Sequence, residues 1–203
     1  MSSLFEINNI PDPKNPKLKS ASKKVEQAEI RTSKAQQTAS EVVGKVEMGK
    51  TIHFVSACEW SCIDMLNIIL DQIGPAEITI ATWSVSEDSA RSLIKSVETG
   101  RITKLSTIFD WRIKVRRPEV FELAKFNICN IKLSTCHAKT TVIQNDKYQI
   151  VLLGSANYTA NPRIETGMIC CNKEVADFHK AWMDEELQNA DPFNTTKRNK
   201  KDE

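Results

Sequence analysis

What this sequence lacks narrows it before anything else does. No apolar run approaches the roughly 20 residues that a membrane-spanning helix needs, so no membrane partner is expected. The first residues, Met1 to Pro11, hold no basic stretch followed by a long apolar core, and they do not read as a secretory signal. The formal charge of +2 is too small by itself to demand a nucleic-acid partner. Histidine is scarce, present only at positions 53, 137 and 179. Cys58 and Cys62 sit at helical spacing near His53, but no second pair at zinc-finger spacing follows, so no metal is expected. Cys170 and Cys171 are neighbours on an expected strand. They face opposite sides and cannot easily pair. Six cysteines without a signal read as reduced thiols, which makes the expected compartment cytoplasmic.

What is present is ordinary in amount and uneven in distribution. Of the chain, 40% is hydrophobic and 27% charged, and 203 residues suffice for one packed domain with an extension. Arg112, Lys114, Arg116 and Arg117 crowd together, and Lys197, Arg198, Lys200 and Lys201 form a basic tail over 191–203. Residues 1–18 carry Pro11, Pro13 and Pro16 and read as a flexible arm. Residues 19–46 contain no proline and are rich in Lys, Glu, Gln, Ala and Ser, which predicts a helical extension. Val25, Ala28, Thr32, Ala35, Ala39, Val42 and Val46 repeat there in a three-four alternation. Two readings stand: a helix packed on its own domain, or a coiled-coil or docking arm that joins a larger assembly.

From Thr51 to about residue 190 the texture is that of one layered domain. Strands are expected over 51–56, 77–83, 102–110, 128–133, 137–143, 148–153 and 166–171. Helices are expected over 60–73, 86–97, 118–126 and 173–188, with Ser86 as a cap and Pro118 at a helix start. Alternating helices and strands predict an α/β fold with a mixed β-sheet flanked by helices, plus the N-terminal helical arm.

The most informative stretch runs from His137 to Glu165. His137 and Lys139 are one residue apart, and on a strand their side chains point the same way. Ser155 and Asn157 repeat that spacing near the end of the next strand, and Glu165 follows. A nucleophilic imidazole, a fixed cation and two small donors suit a tetrahedral, anionic phosphodiester.

Here the chain resembles the phospholipase D-like superfamily, whose pattern is His-x-Lys, four residues and Asp, then Gly-Ser-x-Asn and a downstream acid. His137, Lys139, Gly154, Ser155, Asn157 and Glu165 stand in that order, and the resemblance reaches back to about Thr51. Gln144 occupies the position of the family Asp, Asp146 lies two residues later, and the hairpin between the half-motifs is longer than the compact pattern. The layout is similar to that of small single-motif bacterial nucleases. The resemblance implies a phospholipase D-like domain over 51–190 and catalysis with no metal or other cofactor. It implies His137 as the nucleophile that forms a phosphohistidine, Lys139, Ser155 and Asn157 as phosphate donors, and Glu165 as the acid that orients the ring. One motif per chain implies a homodimer, with His137 of the second subunit protonating the leaving group.

The expected function is thus a phosphodiesterase, foremost a nuclease on DNA or RNA. The basic run Arg112, Lys114, Arg116 and Arg117 is the expected nucleic-acid rim. Trp83 and Trp111 are either base-stacking surfaces or, for Trp83 above all, pocket wall. Two alternatives remain. One is an inactive nucleic-acid-binding or assembly protein on the same fold, in keeping with Gln144 and the long arm. The other is a phospholipid phosphodiesterase.

Overall fold

Short β-branched runs alternate with amphipathic segments along the chain, and each settles into its own period. The computed structural model describes residues 27–32, 39–56, 60–128, 130–159 and 163–189. In chain order these form β1 (Gln27–Thr32), α1 (Ala39–Val43), β2 (Lys50–Ser56), α2 (Cys62–Ile73), β3 (Ala76–Thr82), α3 (Glu87–Glu98) and β4 (Ile102–Asp110). They continue as α4 (Ile113–Arg116), α5 (Pro118–Asn127), β5 (Asn130–Ser134), β6 (Lys139–Gln144), β7 (Gln149–Gly154), β8 (Glu165–Cys170) and α6 (Lys173–Asn189). Local chemistry sets several ends. The Asp64 carboxylate accepts the Ser61 N–H and hydroxyl at the start of α2. Gly74 closes that helix at φ 79°, a left-handed angle that glycine adopts without a steric penalty. The Ser86 hydroxyl accepts the Ser89 N–H at the start of α3, and Pro118 opens α5.

The strands make one eight-stranded mixed sheet in the order β1-β2-β8-β7-β6-β3-β4-β5. Strands β3, β4 and β5 run parallel, while β6, β7 and β8 are antiparallel to their neighbours. Alternate side chains on each strand serve two cores. One face, with Ile78, Ile80, Phe109, Ile143, Ile150 and Leu152, packs under helices that include α2, α3 and α5. The other face, with Ala81, Ile108, Val142 and Val151, is covered by Ala176, Met183 and Leu187 of α6. No helix among the described residues is long and apolar enough to cross a membrane.

The expected continuous helix over 19–46 is corrected. Gln27–Thr32, which holds the seam positions Ala28 and Thr32, is a strand paired in parallel with β2, from Gln27 against Lys50 to Thr32 against Val55. Helix is confined to the five residues of α1. The physical reason is competition for partners. The open edge of β2 offers the 27–32 backbone a full ladder of hydrogen bonds, while a seam of alanine and threonine buries little apolar surface in a coil. Val42 and Val46, expected on the seam, are buried in the main core. Val25 and Ala35, the arm 1–18 and the tail 191–203 lie outside the described residues.

The register collects one set of strand ends. The carboxyl ends of β2, β3, β4, β5 and β7 lie beside the amino ends of β6 and β8, with Ser56 opposite Glu165, Thr82 opposite Lys139 and Asp110 opposite Ser134. Ligands of open α/β sheets gather at such an edge.

Candidate active site

Lys139 opens β6, and its stem lies beside a small apolar cavity lined by Phe54, Cys62, Thr141 and Tyr158. Its Nζ is 3.2 Å from His137 Nδ1 and donates to the His137 carbonyl oxygen at 2.7 Å. His137 itself precedes the strand and does not sit on it, so the shared direction of the two side chains comes from contact and not from strand alternation. Burial holds the Lys139 ammonium below the ordinary lysine range, against the opposing influence of Cys136, Glu165 and Asp110. The Lys139 ammonium is a donor, so this contact is a hydrogen bond only in the tautomer that carries the ring proton on Nε2.

Ser155 follows β7, and Glu165 opens β8. The Ser155 hydroxyl donates to the Glu165 carboxylate, and its oxygen accepts the Thr166 N–H at 3.0 Å. Glu165 is therefore engaged with Ser155, and no hydrogen bond joins it to His137. Asn157 is held differently. Its Oδ1 accepts the Thr82 hydroxyl at 3.3 Å, which leaves both amide N–H groups as donors toward a ligand. The next residue anchors that loop. Tyr158 is buried, its hydroxyl meets Thr141 Oγ1 at 2.6 Å, and its backbone bonds Ser84 and Ser86. A shallow depression of about 430 Å³ joins His137, Lys139, Gly154 and Ser155.

A second, larger cleft of about 690 Å³ adjoins it, with Trp83, Arg112, Arg116, Arg117, Asn157 and Arg163 on its walls. Trp83 separates the two: its ring lies 5.9 Å from the His137 ring, and the Arg116 and Arg112 guanidinium carbons lie 4.7 and 5.6 Å from its centroid. The expected basic rim is divided by this geometry. Arg112, Arg116 and Arg117 reach the cleft, whereas the Lys114 ammonium sits over the Phe121 ring, 5.8 Å from its centroid. Trp83 takes its place as pocket wall, and Trp111 is 44% exposed beyond the end of β4.

Asp110 is a residue near His137 that sequence reasoning missed. Its carboxylate is fully buried, takes Nε and Nη2 of Arg112 at 2.5 and 2.9 Å, and accepts the Cys136 N–H at 3.2 Å. Burial alone would raise its pKa, but the hydrogen bonds and charge of Arg112, with the Cys136 N–H, hold the carboxyl below its usual range. It thus pins the residue before His137 to the end of β4. A second acid does the same from α6, where Glu186 accepts the Ser134 hydroxyl. A strand that ends on a charged residue was the available signal.

Two other chemistry-bearing groups fall away from the site, and a third, Cys62, lies beside it in the cavity under Lys139. His53 is exposed on β2, and His179 lies on α6, where its Nδ1 accepts the Trp182 indole at 3.1 Å. The Cys62 thiol is pushed up to about 12 by burial, then by Glu165 and Asp64, so it stays a thiol. Cys58 lies outside the described residues.

No protein-family profile matches this sequence, and no curated protein matches it. Solved structures do. NucT from Helicobacter pylori superposes with a TM-score of 0.55 at 21% identity, over 70% of this chain and 99% of its own. Nuc from Salmonella typhimurium, a phospholipase D family member, gives 0.53 at 15% identity, over 70% of this chain and 97% of its own. The polyphosphate kinase of Porphyromonas gingivalis gives 0.51 at 19% identity, over 72% of this chain and 27% of its own. The eight-stranded mixed sheet described above is thus built on the phospholipase D-like fold.

Proposed function

We propose that this chain is a metal-independent phosphodiesterase, a nuclease acting on DNA or RNA at a site completed by two subunits. The observation that carries the reading is His137 and Lys139 in contact at the sheet edge that also gathers Ser155, Asn157 and Glu165. A bound phosphodiester would draw Lys139 away from Nδ1 onto a phosphate oxygen. With its proton moved to Nδ1, the imidazole attacks phosphorus through Nε2 and forms a phosphohistidine. Glu165, already beside Ser155, is the acid toward which Nδ1–H turns. Lys139, the Ser155 hydroxyl and the Asn157 amide stabilise the charge that grows on the equatorial oxygens. The proton for the leaving oxygen comes from His137 of a second subunit, since His53 and His179 are remote from the edge. Exposed apolar residues on segments flanking the site, Trp111, Val115 and Ile164, support a contact with that second copy. The charged lining of the adjoining cleft supports a polyanion over a lipid.

One observation favours a second reading. Lys139 on Nδ1 and Glu165 on Ser155 form a closed set of contacts, as a binding protein that no longer cleaves would hold them. Plasmid and single-stranded substrates in excess EDTA decide between the two. Cleavage that disappears in His137→Ala supports the enzyme; a gel shift with intact nucleic acid supports the binder. Headgroup release from phospholipid vesicles with no cleavage of nucleic acid would replace both.

A further inference from the structure

Two arginines in the larger cleft are not neutralised as Arg112 is. Arg112 spends its charge on buried Asp110 and acts as a fixed wall. Arg116 and Arg117 are exposed, line the cleft, and form no ion pair with a carboxylate among the described residues. Arg116 ends α4, a single turn between β4 and α5, and Arg117 follows it; the Arg116 guanidinium carbon lies over the Trp83 ring, 4.7 Å from its centroid. The same indole lies 5.9 Å from the His137 ring. Arg116 is therefore no farther from His137 than the two ring separations allow, which is the reach of a neighbouring nucleotide. Asp88 and Glu119 share the cleft and set a limit on its net charge, so it favours a singly charged diester over a highly charged anion. Its volume of about 690 Å³ is that of a site for one nucleotide unit.

We propose that this cleft is a subsite for the phosphodiester next to the scissile one, gripped by Arg116 and Arg117. The preferred substrate is then a nucleic-acid strand, and an isolated phosphodiester lacks half of the recognition. This deepens the nuclease reading and rests on it for the position of the scissile bond. Planar guanidinium groups match phosphate oxygens two at a time, and one held on an indole face loses little freedom on binding.

The test uses the full-length chain carrying His137→Ala, so that binding is measured without cleavage. Fluorescence anisotropy follows a short labelled single-stranded oligonucleotide over a range of salt concentrations. Adding Arg116→Gln and Arg117→Gln should weaken binding about tenfold at low salt, and should flatten the slope of log affinity against log salt by about 1.4, as expected for two lost phosphate contacts on a single strand. Lys147→Gln, which removes one charge from the hairpin at the far end of the sheet and so matches each single arginine variant, should stay within about twofold. Unchanged affinity in the double variant overturns the subsite, as does an equal loss in Lys147→Gln. Each single variant, checked for an unchanged thermal midpoint, should give part of the loss, which guards against misfolding. Failure of the nuclease reading is seen separately: the wild-type chain, with His137 intact, would cleave nothing while arginine-dependent binding persists.

Discussion

Asp110 holds a buried charge in place with hydrogen bonds on two sides, and few residues in the molecule carry so much of the site's geometry. Asp110→Asn keeps the shape and removes the charge. It should cost roughly 2 kcal/mol, near the lower end for a charged hydrogen-bonded group, because Arg112 is more than a third exposed and screened by water. The sign with pH follows from the depressed carboxyl. Its stabilisation is present above the ordinary carboxylate range and is lost as pH falls through the lower folded value. Urea unfolding of the two proteins should therefore differ at neutral pH and converge in strong acid; a gap that persists unchanged there would count against the ionised carboxylate. Lys139 gives a second test. Burial lowers its pKa, so in the proposed mechanism its charge is lost sooner as pH rises, and the alkaline limb of kcat/KM should fall below the ordinary lysine value of about 10.4. A limb at or above that value would contradict the buried stem. Gln144 ends β6 at the edge away from the site, roughly 17 Å from Lys139 at strand rise. The hairpin there is held by Asn145, whose Oδ1 accepts the Lys147 and Tyr148 N–H groups and whose Nδ2 donates to Ile73 and Pro75. Gln144 therefore stands beside the hairpin, at the opposite end of β6 from Lys139.

Among elements, the β7–β8 pair sets the site most tightly, because it carries Ser155 and Glu165 on adjoining ends. Gly154 and Gly167 face each other across that ladder. A Cβ on Gly167 would lie 2.5 Å from both the Leu153 carbonyl oxygen and the Phe54 ring, and one on Gly154 would lie 2.7 Å from the Thr166 carbonyl oxygen. Phe54 is buried and the other neighbours are backbone, so neither can yield cheaply. Gly167→Ala should destabilise the fold by about 1–3 kcal/mol and spread the Ser155–Glu165 contact. Chemical denaturation checks the first effect, and an unshifted midpoint would show that the strands separate freely. The loop from Gly154 to Tyr158 is tied to the segment after β3 by backbone bonds at Ser84 and Ser86, which is why Asn157 reaches the same edge as Lys139.

At the scale of the whole molecule, the distribution of the three histidines makes its own demand. Only His137 stands at the edge that gathers Lys139, Ser155 and Glu165, so in the proposed mechanism one chain would supply the nucleophile without the proton donor. Mixing wild-type subunits with an excess of His137→Ala subunits under exchange should reduce cleavage as the square of the wild-type fraction, since both histidines must be intact. A linear decline would mean that each chain works alone. The same scale explains the sheet's eighth strand. β1 pairs along the edge of β2 where a helix was expected, and becomes the terminal strand of the sheet.

The strand and helix pattern from Thr51 onward was legible in the sequence, because β-branched runs, amphipathic periods and cap residues act over a few neighbours. The His137, Lys139, Ser155 and Glu165 half-motifs were legible for the same reason: their spacing is local. Three matters were decided by tertiary structure. Residues 27–32 became strand because a distant edge offered backbone partners that local propensity does not record. Asp110 joined the site because β4 and the loop before His137 meet only after the sheet forms, and burial then raises the value of each hydrogen bond to its charge. Arg116 and Lys114, two residues apart on one short turn, parted company because one faced an indole at the cleft and the other a phenyl ring away from it. Sequence sets which groups are available; packing sets the distances and the dielectric, and those decide which of them act together.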